Sequence, residues 1–201
     1  MKIALIGTHG VGKTTLCYEL AALLKRRNAD VELVREVARR CPLPINQETT
    51  IAAQEWILLT QIAWEIEAAA THEIVLCDRS VLDNYCYLVH AASTAPIWER
   101  IFDHWMATYD RLVYVPLWAR PTYDGVRAID PSFQHQIDVL IEGMITARGL
   151  TPLRLDPQRR DDWGSDILKS LLPQIEPTLP LFPEGADDPG ESQVSSPESK
   201  V

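Results

Sequence analysis

Short, almost wholly apolar runs alternate with longer stretches of helical period along this chain. Lys2-Ile3-Ala4-Leu5-Ile6, Val31-Glu32-Leu33-Val34, Ile74-Val75-Leu76-Cys77, Leu112-Val113-Tyr114-Val115 and Leu153-Arg154-Leu155 read as five strands. Between them, apolar residues recur every three to four positions, which predicts helices. These cover roughly 13–24, 47–70, 81–91, 97–108, a stretch after Pro131 to about 147, and 162–171. In the second of them Ile51, Leu58, Ile62 and Ile66 share one face; Gln54, Gln61 and Glu65 lie on another, read as a solvated face. Cys41-Pro42-Leu43-Pro44 and Ser93-Thr94-Ala95-Pro96 interrupt the pattern as loops, and Gly149 fits a helix C-terminal cap. Strands that are apolar on both faces and joined by helices belong to a parallel sheet covered on both sides. The expected fold class is therefore α/β, over residues 1–172.

The first strand-to-helix turn carries the chemistry. Gly7-Thr8-His9-Gly10-Val11-Gly12-Lys13-Thr14 matches G-x-x-x-x-G-K-[ST] in full, with Thr15 following. Strand before, helix after, is the context that a phosphate-binding loop requires. Gly7, Gly10 and Gly12 allow the backbone turns that point successive N–H groups at one anion. The helix start adds the positive end of its dipole. Lys13 is placed to reach the β- and γ-phosphates of a nucleotide, and the Thr14 hydroxyl to sit on Mg²⁺. Thr8, His9, Val11 and Thr15 complete the nucleotide cradle, with His9 shaping the loop.

A phosphate loop alone does not distinguish kinase, GTPase or motor. Asp78-Arg79-Ser80 follows the third strand, where an acid holds Mg²⁺ through water or caps a helix. No second acid follows Asp78, which disfavours a hydrolysing motor, and no Asn-Lys-x-Asp guanine reader occurs. Glu36 closes the second strand, beside Arg39 and Arg40. It is either the base that accepts a hydroxyl proton or a surface charge paired with those arginines. The polar stretch from Trp118 to Pro131 holds Arg120, Asp124, Gly125 and Arg127, the composition of a lid whose arginines close on phosphates. Asp83, with Tyr85 and Tyr87 after it, either contacts substrate or favours its helix N-terminus. Gln54 and Gln61 are amide readers in principle, but their helix face reads as solvated.

Taken together, these pieces resemble the NadR-type AAA domain, the family that includes the nicotinamide riboside kinase domain of NadR. The matching residues are Gly7 to Thr15, Arg35-Glu36-Val37-Ala38-Arg39, Leu76-Cys77-Asp78-Arg79, Asp83 with Tyr85, Tyr109-Asp110 and Asp124-Gly125-Val126-Arg127. More distantly the chain is similar to deoxynucleoside and thymidylate kinases. The resemblance implies a P-loop NTPase three-layer sandwich, its parallel five-stranded sheet ordered 2-3-1-4-5 as in nucleoside and nucleotide kinases. It implies ATP with Mg²⁺ and a small-molecule hydroxyl acceptor such as a nucleoside. On that pattern Lys13, Glu36, Asp78 and Arg127 are catalytic, and Arg120 joins the loop in binding nucleotide. Glu36, Arg39, Arg79 and Asp83 bind substrate, and Thr14 and Asp78 manage the metal. The rival reading is a nucleotide-dependent switch acting on a protein partner.

Net charge is −9, with six acids and one lysine beyond residue 172, so the body is only mildly acidic and has no basic stripe. That excludes a nucleic-acid polymer as the expected partner. No run of eighteen apolar residues and no leader-like segment occurs, so a cytoplasmic protein without a membrane span is expected. Cys17, Cys41, Cys77 and Cys86 show no paired spacing and read as free thiols.

From Pro173 on the character changes: six of the 14 prolines fall there, among Ser, Asp, Glu and Gly. Such a segment buries too little apolar surface to offset its ordering entropy and reads as a disordered acidic tail, 173–201. Truncation after Leu172 is expected to leave the melting temperature within a few degrees of the full chain. A large drop in a thermal melt would mean that Leu179 to Phe182 docks on the body.

Overall fold

The computed structural model describes residues 1–92, 95–118 and 130–175. Five strands form one parallel sheet: β1 (Lys2–Ile6), β2 (Val31–Val34), β3 (Ile74–Asp78), β4 (Arg111–Tyr114) and β5 (Leu153–Arg154), in the order β2-β3-β1-β4-β5. Among the described residues six α-helices flank them: α1 (Lys13–Lys25), α2 (Ile51–Thr71), α3 (Val81–Ala91), α4 (Pro96–Met106), α5 (Pro131–Ala147) and α6 (Trp163–Leu171). This is the α/β fold and strand order expected from the sequence.

Side-chain alternation along β1 divides the core in two. Ile3 and Leu5 point to α1 and α6, where Leu16, Leu20, Leu24, Ile167 and Leu171 close one layer. Ala4 and Ile6 point to the other side, packing with residues of α2 to α5 such as Leu58, Leu82, Phe102 and Ile137. Helix ends are fixed by local chemistry. Asp130 caps α5 by accepting the Ser132 N–H at 2.9 Å, with Pro131 at the first helical position. Past its C-terminus Gly149 takes φ 60°, and the Leu150 N–H returns to the Ile145 carbonyl at 2.9 Å.

Two expectations need correction. The second helix starts at Ile51, capped by the Thr50 hydroxyl, after a separate 3₁₀ turn over Asn46–Glu48. Its polar face is not solvated: Gln54, Gln61 and Glu65 are buried, whereas Ile51 and Ile66 are about half exposed. Gln54 donates to the Thr49 hydroxyl at 2.7 Å; for Gln61 and Glu65 the physical reason is a buried polar network. Glu65 is 0 % exposed, and its carboxylate accepts from Gln61 Nε2 (2.8 Å), Tyr109 Oη (2.6 Å), Lys2 Nζ (2.9 Å) and Trp105 Nε1 (2.7 Å). A satisfied carboxylate pulls its helix face inward, and the apolar residues beside it turn out.

The described chain runs past α6 to Ile175, which packs partly against the α1–α6 layer; the rest of the tail, 176–201, lies outside the described residues. All four cysteines are free, three of them buried. No helix among the described residues is long and apolar enough to cross a membrane.

Candidate functional site

Parallel register sets the site. Leu5 pairs with Asp78, Ile6 with Tyr114, and Val34 with Cys77. The residues just beyond these strand ends therefore collect along one edge: the loop from Gly7, Glu36, and Asp78 with Arg79.

The phosphate loop is gripped by three elements. Gly7 has φ 140°, and a Cβ there would lie 2.5 Å from the Val115 carbonyl oxygen, so glycine is required. Its N–H donates to Asp83 Oδ1 at 2.9 Å. The Thr8 hydroxyl donates to the Gln134 carbonyl (2.9 Å), and Gln134 Nε2 donates to the His9 carbonyl (2.7 Å). Trp118 Nε1 donates to the Val11 carbonyl at 2.9 Å. His9 Nδ1 and the Tyr87 hydroxyl are 2.8 Å apart, and the His9 ring lies against Phe133, so this histidine serves the loop's shape. Gly10 and Gly12 take φ 83° and 97°, and α1 begins directly after them. Lys13 is buried and donates to the carbonyls of Gly7 and Thr8, both at 2.6 Å. Burial, and then the Arg79 charge, lower its pKa to about 8. Thr15, two positions further along α1, is exposed.

The Thr14 hydroxyl donates to Asp78 Oδ2 at 2.6 Å. Burial, and the nearby Glu36 carboxylate, raise the Asp78 pKa above the usual range. A hydroxyl and an electrostatically strained carboxylate are hard oxygen donors of the type that suits Mg²⁺. The residues present therefore fit the metal that the motif implies.

Glu36 follows β2 and opens a 3₁₀ turn, Val37–Arg40. It is not a surface charge, for its side chain is only 13 % exposed. Arg79 Nε donates to Glu36 Oε1 at 2.7 Å and Arg39 Nε to Oε2 at 2.8 Å. Burial alone would raise the Glu36 pKa, but Arg79, Lys13 and Arg39 together hold it at about 2. Arg79 stays charged because the surrounding carboxylates outweigh its burial, and its guanidinium sits 5.1 Å from the Tyr87 ring centre.

Glu36, Arg39 and Arg79 line a cleft beside the phosphate loop. His9 brings the phosphate loop to its rim; Ile45, Ile57 and Ala38 supply apolar surface; Asn46, Gln54 and Asn84 supply amides. Arg79 Nη1 and Asn84 Nδ2 are buried there with no hydrogen-bond partner among the described residues. Asp83 is placed differently. It is fully buried and its oxygens are taken by Gly7, the Ser80 N–H and the Ser80 hydroxyl (each 2.9 Å), so it joins α3 to the phosphate loop and presents nothing to the cleft. Arg120, Asp124, Gly125 and Arg127 fall in 119–129, outside the described residues. Asn84 and Gln134 were not picked out from sequence. Their signal is a polar residue on an apolar stripe: Gln134 continues Ile137, Ile141 and Ile145, and Asn84 leads to Leu88.

A family profile described as an AAA domain matches residues 2–161. The chain belongs to this AAA domain family. No curated protein matches it. Two solved structures of deoxyadenosine kinase from M. mycoides resemble it at 17 % identity. One, with products dCMP and a flexible dCDP bound, gives a TM-score of 0.57 over 85 % of this chain and 98 % of that one. The other, with dATP bound, gives 0.55 over 85 % and 99 %. At that identity the likeness describes the fold, which is the P-loop fold of nucleoside kinases.

The Glu36 pKa gives the AAA domain a defined acid limb. A depressed carboxyl pKa contributes stability above the unfolded-state value of 4.5 and loses it as pH falls toward about 2. Glu36→Gln mimics the protonated group. It is expected to be less stable than wild type by roughly 3 kcal/mol near neutral pH. In urea melts across pH that gap should close steadily below about pH 4.5; a pH-independent gap would mean that the carboxylate charge does not matter.

Proposed function

We propose that this protein is a small-molecule kinase that transfers the γ-phosphoryl group of Mg·ATP to a hydroxyl of a nucleoside or related metabolite. One observation carries the reading. The phosphate loop opens onto a separate, amide-lined cleft in which a carboxylate and a buried arginine stand side by side. A nucleotide switch that only hydrolyses ATP needs water at that place, not a recess with apolar and amide walls beside a carboxylate and an arginine. The fold likeness to deoxyadenosine kinases supports a nucleoside as acceptor.

The residues divide the work by position. Loop amides beyond Gly7, the α1 dipole and Lys13 bind the phosphates. Thr14 and Asp78 hold Mg²⁺, which neutralises phosphate charge when bound. Glu36 accepts the hydrogen bond of the attacking hydroxyl and takes its proton as the bond to phosphorus forms. Arg79 and Arg39 orient Glu36 and the acceptor. Asp83 keeps the loop and α3 in register. Arg120 and Arg127 remain assigned to phosphate contact from the lid on sequence grounds.

The deciding assay follows ADP release by the full chain with Mg·ATP and a nucleoside panel. A kinase's rate jumps with one acceptor; a rate indifferent to every acceptor would overturn the reading in favour of the switch. With the acceptor found, Glu36→Gln is expected to lose about 10²-fold in turnover, the low end for a general base because a loose phosphoryl-transfer transition state needs little early deprotonation. Mg·ATP affinity should stay nearly unchanged. Turnover at the wild-type rate would leave Asp78 as the remaining base candidate.

Lys13 makes a pH signature. A bound polyphosphate favours its charged form, so binding takes up a proton where the empty site has a pKa of about 8. Affinity for Mg·ATP should be level below that pH and weaken as pH rises through it. Lys13→Ala should cost roughly ten- to a hundred-fold in affinity, the 1.5–3 kcal/mol of a charge-assisted contact, and abolish the pH dependence. Calorimetric titration from pH 7 to 9 checks both; an unchanged Kd in Lys13→Ala removes the lysine from phosphate binding.

A further inference from the structure

Arg79 carries backbone strain. Its φ is 91°, in the region that suits glycine. Such a residue persists only where its surroundings over-determine it. The turn is held from the sheet side by the Arg79 N–H, which donates to the Leu5 carbonyl at 3.2 Å. It is held from α3 by Asp83 on Ser80.

Two further contacts hold it from behind, and both return to one oxygen atom. Tyr109 Oη accepts the Val81 N–H at 3.0 Å, and Gln61 Nε2 donates to the Arg79 carbonyl at 3.4 Å. Glu65 Oε1 accepts the Tyr109 hydroxyl at 2.6 Å and Gln61 Nε2 at 2.8 Å. The carboxylate fixes the direction of both. Because it takes the Tyr109 proton, the phenol oxygen is left as an acceptor for Val81. Because it takes one Gln61 N–H, the amide nitrogen is turned toward Arg79. Glu65 Oε2 meanwhile is occupied by Lys2 and Trp105, which touch neither side of the turn.

We propose that Glu65, acting through Tyr109 and Gln61, is the positioning group that holds the strained Arg79 turn and so aims the Arg79 guanidinium at Glu36 and the cleft. Its importance for phosphoryl transfer rests on the kinase reading above; the geometry of the turn does not. Glu65 touches neither cleft nor loop and acts only through the turn.

The test reads the Arg79 Nε–H by NMR in the ligand-free protein, the signal being assigned by its disappearance in Arg79→Lys. A bond to a buried carboxylate at 2.7 Å protects this proton from solvent exchange. Tyr109→Phe deletes only the hydroxyl that links Glu65 to Val81. Trp105→Phe deletes an N–H to the same carboxylate that does not lead to the turn. Both variants are expected to melt lower. Tyr109→Phe alone should speed exchange of the Arg79 proton, by about tenfold for the loss of one net hydrogen bond. If Tyr109→Phe does not fold, Gln61→Met takes its place, with the same expected result. Any other pattern, whether an unchanged signal in the turn-linked variant or equal loss in both, overturns the proposal. Because no turnover is measured, its failure is distinct from a failure to find an acceptor.

Discussion

The buried ion pair between Arg79 and Glu36 governs the chemistry of everything around it. Both side chains are largely withdrawn from water, at 8 % and 13 % exposure. Withdrawing two charges costs several kcal/mol each, so such a pair stabilises a fold poorly compared with apolar residues of the same size. What it does supply is a fixed field. Arg79 joins burial in pushing Lys13 down to about 8, and Glu36 joins burial in pushing Asp78 up. A lysine that gains from an anion and a carboxylate that gains from a cation are thereby set against each other across the loop.

The loop answers this field because its backbone has little freedom. Its bonds to Asp83, Gln134 and Trp118 come from α3, α5 and the segment after β4, which are far apart in sequence. Rigid donors aimed at a charge need no rearrangement when the charge arrives. The contact between Gly7 and the Val115 carbonyl has the same effect on the β4 side. It also explains why glycine is needed at this position.

Much of this was legible in the sequence, and the gaps have a common cause. Alternating apolar runs yielded the five strands, and the glycine-lysine-threonine spacing yielded the phosphate loop, because both signals are local. The strand order came only with the family resemblance. Glu36, Asp78 and Arg79 were found because they end strands, and a parallel sheet brings strand ends together. The misreading of Gln54, Gln61 and Glu65 as solvated came from counting side-chain polarity alone. Nothing within α2 reveals that Lys2, Trp105 and Tyr109, from β1, α4 and the segment before β4, would satisfy Glu65 inside the protein. Asp83 is the intermediate case. Its capping role was readable from Ser80 three residues earlier, but its bond to Gly7 spans 76 residues and was not.

If the protein is the kinase proposed above, the same pair limits what Glu36 can do. A carboxylate held at about pKa 2 is a weak base, and a proton on an alcohol would not move to it before reaction begins. In a loose transition state the nucleophile's bond to phosphorus is little formed, so the hydroxyl stays a hydroxyl until late. What matters early is direction: an acceptor atom that orients the O–H so that a lone pair faces phosphorus. A fully ionised carboxylate clamped by two arginines serves that purpose well, since it is always available and cannot turn away. As the new P–O bond forms, the hydroxyl becomes strongly acidic and loses its proton even to a weak base. On the proposed kinase reading, Arg79 therefore trades base strength for orientation, and in phosphoryl transfer that trade costs little.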